Sequence, residues 1–136
     1  MVKFQSLEDW TQGRDIMRCN PSFHGEPRFD CVIIHDDAPG LSVARLCDLI
    51  RCSLPSKKEI DLALVHRFSR SHWKPKTVWS GCRVLDEDVE SSIVSLDYVL
   101  RGALLCPVSR NEDEKAHYFV DTVDADMFLR ENYPMN

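Results

Sequence analysis

Glycine is scarce in this 136-residue chain, with 5 in all. That scarcity excludes a glycine-rich phosphate cradle and a dinucleotide fingerprint, which need several glycines in close succession. No apolar run reaches the roughly 18 residues that cross a bilayer as a helix. The opening Met1-Val2-Lys3-Phe4-Gln5 has no long apolar stretch of the secretory kind. Cys-x-x-Cys is absent, as are Gly-x-Ser-x-Gly and any thiol-protease signature. Neither a paired-cysteine metal motif nor a nucleophile elbow is therefore expected. Internal repeats, low-complexity tracts and linker-like stretches are missing too. The expectation is one globular domain over residues 1–136, intracellular, with no membrane segment and no cofactor.

What is present is an ordinary globular mixture, 43% hydrophobic and 29% charged. A chain of this size buries roughly two-thirds of its unfolded surface, enough for one core without staples. Six cysteines (Cys19, Cys31, Cys47, Cys52, Cys82 and Cys106) are many for the length. Cys31, Cys47 and Cys106 lie in apolar stretches, where a reduced thiol behaves as a small buried hydrophobe. Reduced, structural thiols are the expectation.

The net charge is −5, unevenly placed. Residues 1–85 carry 13 basic and 10 acidic side chains, and residues 86–136 carry 4 and 12. A globally acidic chain binds nucleic acid only through a local patch. One such window runs from Leu62 to Leu85. It holds Arg67, Arg70, Lys74, Lys76 and Arg83, with His66 and His72, and no acid. Trp73 and Trp79 are interleaved. Arginine and lysine supply phosphate contacts, and an exposed indole stacks on a base or holds a peptide. The blander alternative is a basic surface loop pinned to the core by its tryptophans. Arg67, Arg70, His72, Trp73, Lys74, Lys76 and Trp79 are thus the candidate binding residues. For the basic window to serve phosphate, it and the acidic half must occupy opposite faces. The resulting dipole would also permit salt-sensitive, head-to-tail self-association.

Along the chain, Ser6 with Asp9 suggests a helix cap, and a short helix is expected near residues 6–18, weakened by Gly13. Asn20-Pro21 and Gly25-Glu26-Pro27 break the next stretch. Phe29 to His35 is β-branched and aromatic and ends in Asp36-Asp37-Ala38-Pro39-Gly40, a strand followed by a turn. Leu41 to Leu54 fits a hairpin partner. Ile60 to Phe68 alternates with period two. Cys82 to Leu85 reads as a short strand closed by the turn Asp86-Glu87-Asp88, and Ile93 to Leu96 as another. Tyr98 to Val108 carries Gly102, which suits a bulge or bend in a barrel strand. His117 to Asp121 closes the set, with a helical turn expected at 126–130. Six or seven short strands and little helix imply a mainly β domain, a small barrel or sandwich.

Two metal readings exist beside the binding one. His35-Asp36-Asp37 at a strand end, with Asp121, Asp124 or Asp126, offers ligands for a metal-dependent nuclease or hydrolase, although adjacent carboxylates in turns commonly serve solubility. Cys19, His24, Cys31 and His35 hold zinc-compatible donors, but not in the order of a common finger.

Three stretches carry a resemblance. They are Ser22-Phe23-His24-Gly25-Glu26-Pro27-Arg28-Phe29-Asp30-Cys31-Val32-Ile33, Tyr98-Val99-Leu100-Arg101-Gly102-Ala103-Leu104-Leu105, and Tyr118 to Arg130. Together they resemble the C-terminal region of large proteins encoded by basidiomycete DNA transposons of the CACTA, Plavaka-like kind, over about residues 20 to 130. The resemblance implies a BAH- or SH3-like barrel, a nuclear setting, and a partner that is nucleic acid or a chromatin-associated protein or peptide. Strand-transfer chemistry in such proteins belongs to an upstream nuclease domain. The functional expectation is a non-enzymatic, transposon-derived binding module, with the metal-dependent nuclease as its alternative.

Overall fold

In a computed structural model of the chain the described residues are 2–8, 11–35, 40–73, 82–109 and 115–120, with side chains described from Ile16 onward. The strands are β1 (Val2–Glu8), β2 (Thr11–Met17), β3 (Cys19–Phe23), β4 (Glu26–Phe29), β5 (Cys31–His35), β6 (Leu41–Ser53), β7 (Glu59–Arg70), β8 (Arg83–Ser95), β9 (Val99–Pro107) and β10 (Ala116–Val120). A 3-10 turn, Leu96–Tyr98, joins β8 to β9, with the Ser95 hydroxyl accepting from the Asp97 N–H.

Strands β5 to β8 form an antiparallel meander. β9 then returns beside β5, and β10 lies between β9 and β8, closing a six-stranded antiparallel barrel. Closure removes the exposed sheet edges that would otherwise pair with other chains. The mainly β reading and the small barrel are both met.

The run Cys31-Val32-Ile33-Ile34 explains why β5 is the hub, because every one of its residues is buried. Alternation sends Cys31 and Ile33 into the barrel with Leu41, Val43, Phe68, Leu85 and Phe119. Val32 and Ile34 point the other way, onto Ala44, Leu46, Ala63 and Val65. That outer layer is covered by Met17, Cys19, Leu96 and Val99. A strand sandwiched between two apolar layers needs an unbroken hydrophobic run, which is what Cys31 to Ile34 supplies.

The helix expected near residues 6–18 is replaced by a β1–β2 hairpin, in register from Val2 opposite Met17 to Glu8 opposite Thr11. Val2, Thr11 and Ile16 are β-branched and Gly13 is a poor helix former, so local helix preference is weak and pairing wins. The hairpin is tied down where Met17 meets Gly102. A Cβ at Gly102 would lie 2.6 Å from the Met17 methyl carbon, so the missing side chain makes room for the cover. β9 also slips register beside this glycine, where Ile33 faces Arg101 but Ile34 faces Val99. Gly102 itself pairs regularly with Val32, and the irregularity falls two residues away, at Leu100.

A second correction concerns Asp86-Glu87-Asp88. These residues do not close a turn. They lie within the single long strand β8, where Asp86 faces both Ser69 and Ala116 and Glu87 faces Phe68. Barrel pairing and specific polar partners override the turn preference of the acids. The same fact overturns the opposite-faces expectation for the described part of the basic window. β7, carrying His66, Arg67 and Arg70, is hydrogen-bonded along the acidic stretch of β8.

Candidate functional site

Three of the four described members of the predicted binding set, Arg70, His72 and Trp73, lie at and just beyond the end of β7. Arg70 is exposed at the strand end, and the chain is held there by the Ser71 N–H donating to the Val84 carbonyl at 3.0 Å. The Trp73 N–H donates to Ser71 Oγ at 3.2 Å. His72 is exposed, and the Trp73 side chain is 48% exposed although its ring lies 6.5 Å from that of Tyr118, tilted by 56°. Tyr118 belongs to β10, and its alternation with the buried His117 and Phe119 turns it outward. Asp86 shares the outer face with Tyr118 one pleat away, because Val84 faces Tyr118 and Asp86 faces Ala116. Ser69 Oγ donates to Asp88 Oδ1 at 3.2 Å on the same side. The Trp73–Tyr118 ring pair thus lies at one end of a strand whose outward face carries Asp86 one pleat along and Asp88 beyond it, a combination suited to a cationic side chain.

Arg67 does not join this surface. It is half-buried, and its Nε donates to Ser92 Oγ at 3.3 Å. Lys74, Lys76 and Trp79 lie outside the described residues, as do Asp36, Asp37, Asp121, Asp124, Asp126 and the turn expected at 126–130.

A second constellation, which residue-by-residue reading does not single out, occupies the inward phase at one end of the barrel. Arg45 follows Leu41 and Val43 in that phase and faces Cys31 and His66. Its Nε donates to Glu87 Oε1 at 3.0 Å, its NH1 to the Phe29 carbonyl at 3.2 Å, and its guanidinium lies over the Phe68 ring at 5.7 Å. Its NH2 lies 3.3 Å from His117 Nε2. His117 Nδ1 is 2.8 Å from the Lys115 carbonyl, which only accepts, so Nδ1 carries the proton and Nε2 accepts from Arg45. His66 adds a second ring, with Nδ1 at 3.4 Å from Glu87 Oε1 and Nε2 at 3.0 Å from Ser91 Oγ. Burial acts to lower the Arg45 pKa, but Cys31 and Glu87, the latter also by hydrogen bond, outweigh it and hold the guanidinium above its ordinary value. The cluster is reachable, since the Arg45, Glu87 and His66 side chains are all partly exposed.

Cys31, under this cluster, is pushed up to about 11 from 9.0, chiefly by burial, while Arg45 pulls the other way and Glu87 and Asp30 add to the rise. A thiol whose folded pKa is raised contributes its full stability below the unfolded value and loses it as pH climbs to the folded one. We expect stability to fall by on the order of 3 kcal/mol between about pH 9 and 11 from this group. Urea unfolding across that range tests it, and Cys31→Ala should flatten the slope. No disulfide joins any of the six cysteines, and Cys106, placed by its apolar setting in the core, is exposed instead.

The carboxylates of the nuclease reading lie outside the described residues, so the structure bears on the zinc set alone. Among the described residues no three histidine, cysteine or acidic side chains converge to hold an ion. For the zinc set the reason is visible, since Cys31 points into the barrel while His24 sits in the β3–β4 turn and His35 is exposed at the far end of β5. No described helix is long and apolar enough to cross a membrane. No family model matches the chain, and neither a curated protein nor a solved structure matches it significantly.

Proposed function

We propose that the protein is a transposon-derived binding module that docks a basic peptide segment of a chromatin-associated protein on the Trp73–Tyr118 surface. The observation that carries this reading is the half-exposed Trp73 indole beside Tyr118, with Asp86 and Asp88 on the adjoining strand. A lysine or arginine side chain gains attraction from the ring faces and from both carboxylates. The same acids repel phosphate, so the acidic stretch of β8 beside β7 favours a peptide over nucleic acid as partner. Arg70, exposed at the end of β7, then selects acidic residues flanking the basic segment.

Fluorescence anisotropy with a labelled lysine-rich peptide and a labelled oligonucleotide tests the choice. Trp73→Ala should weaken peptide binding by about 10-fold, equivalent to about 1.4 kcal/mol. Oligonucleotide affinity that drops steeply with salt and with Arg70→Ala, alongside peptide binding indifferent to Trp73, would overturn the reading.

A further inference from the structure

We propose that Ser91, His66 and Glu87 form an acyl-transfer relay at the polar end of the barrel, with Ser91 Oγ as nucleophile toward small activated esters. This site is separate from the Trp73 surface and does not rest on the peptide reading.

Proton polarity sets the direction of the relay. Glu87 Oε1, a carboxylate oxygen, accepts at 3.4 Å from His66 Nδ1, so in the neutral ring that nitrogen carries the hydrogen. Nε2 is left with its lone pair toward Ser91 Oγ at 3.0 Å, and the hydroxyl donates to it. Serine, histidine and carboxylate therefore stand in the order and sense that activates a hydroxyl, and the reach of each contact is that of an unliganded nucleophile–base pair. Glu87 is not free to swing away, because Arg45 Nε holds the same oxygen at 3.0 Å.

The backbone beside the relay is irregular. Between the pairs His66–Ser91 and Phe68–Glu87, one residue of β7, Arg67, stands opposite three of β8, Asp88, Val89 and Glu90. The oxyanion that develops on an attacked carbonyl needs N–H donors, and the relay would draw them from this bulged stretch. The bulge also keeps Glu87 and Ser91 on either side of His66, which an unbulged strand would not do. Ser91 is exposed, which gives an ester access.

In the first step Ser91 Oγ forms a bond to the ester carbonyl carbon and its proton passes to His66 Nε2. The carbon–oxygen bond to the alcohol then breaks, and the departing alkoxide takes the proton back from Nε2. Water repeats the sequence on acyl-Ser91, releasing a carboxylic acid and restoring the hydroxyl. Glu87 holds Nδ1–H throughout and receives no proton.

A fluorophosphonate probe tests the relay on the intact chain. Attack by Ser91 expels fluoride, and mass spectrometry should find the phosphonyl group on Ser91. Ser91→Ala should abolish labelling, His66→Asn should slow it at least about 100-fold, and Ser92→Ala should leave it unchanged. The wild type should also release p-nitrophenol from p-nitrophenyl acetate in a burst matching the protein concentration. Absence of label on wild-type Ser91, label persisting in Ser91→Ala, or an unchanged rate in a folded His66→Asn would each overturn the proposal. Should His66→Asn fail to fold, the wild-type labelling site and Ser91→Ala, at an exposed position, still decide it.

Discussion

Replacing Phe119 by alanine is expected to remove about 3–5 kcal/mol of unfolding free energy. Phe119 is 1% exposed and is the largest fully buried side chain among the described residues. It belongs to β10, the strand that closes the barrel, and packs with Cys31, Ile33, Leu41, Val43, Phe68 and Leu85. Truncation therefore loses the transfer term and leaves a cavity touching several strands at once, which rigid barrel walls cannot collapse to fill. A domain of this size holds roughly 5–15 kcal/mol in total, so the variant should sit near the edge of folding. Urea denaturation followed by circular dichroism checks this. A loss below about 1 kcal/mol would mean that β10 does not close the barrel as described.

Arg45→Met should cost about 3 kcal/mol for a different reason. The arginine occupies an inward position and satisfies the Glu87 carboxylate, the Phe29 carbonyl and His117 Nε2 together. Methionine fills similar space but leaves three acceptors without their donor, and stranding a partly buried charge is costlier than removing the pair. The double variant Arg45→Met, Glu87→Leu should accordingly recover much of the loss. A double-mutant cycle on thermal or urea unfolding measures the recovery, and strictly additive losses would show that the pair is not coupled.

The contrast between these residues shows what is legible in the sequence. Alternation from Ile60 to Phe68 and the β-branched run at Cys31 to Ile34 locate β7 and β5, because period and residue type both follow from burial. The N-terminal hairpin is hidden by a plausible helix cap at Ser6, a local signal that long-range cover over Gly102 outweighs. β8 reads as two pieces because Asp86-Glu87-Asp88 is turn chemistry until Arg45, His66 and Ser69 meet it. Trp73 stands out by type, whereas its ring partner Tyr118 lies on a distant strand. The inward polar cluster escapes a linear reading, since its members come from β6, β7, β8 and β10. A signal does exist, in that Arg45, His66 and His117 each sit two residues from a buried Val43, Phe68 or Phe119 and so share the inward phase. Polar side chains that fall in a core phase of the alternation are themselves the mark of a buried network.

The central functional claim is that the Trp73–Tyr118 surface holds a basic peptide, and a ¹⁵N chemical-shift titration with a lysine-rich peptide tests it most directly. Shifts are expected to concentrate on the Trp73 indole N–H and the backbone amides of Ser69, Asp86 and Tyr118, and to be lost in Trp73→Ala. Shifts elsewhere with these four unmoved, or none at saturating peptide, would contradict it.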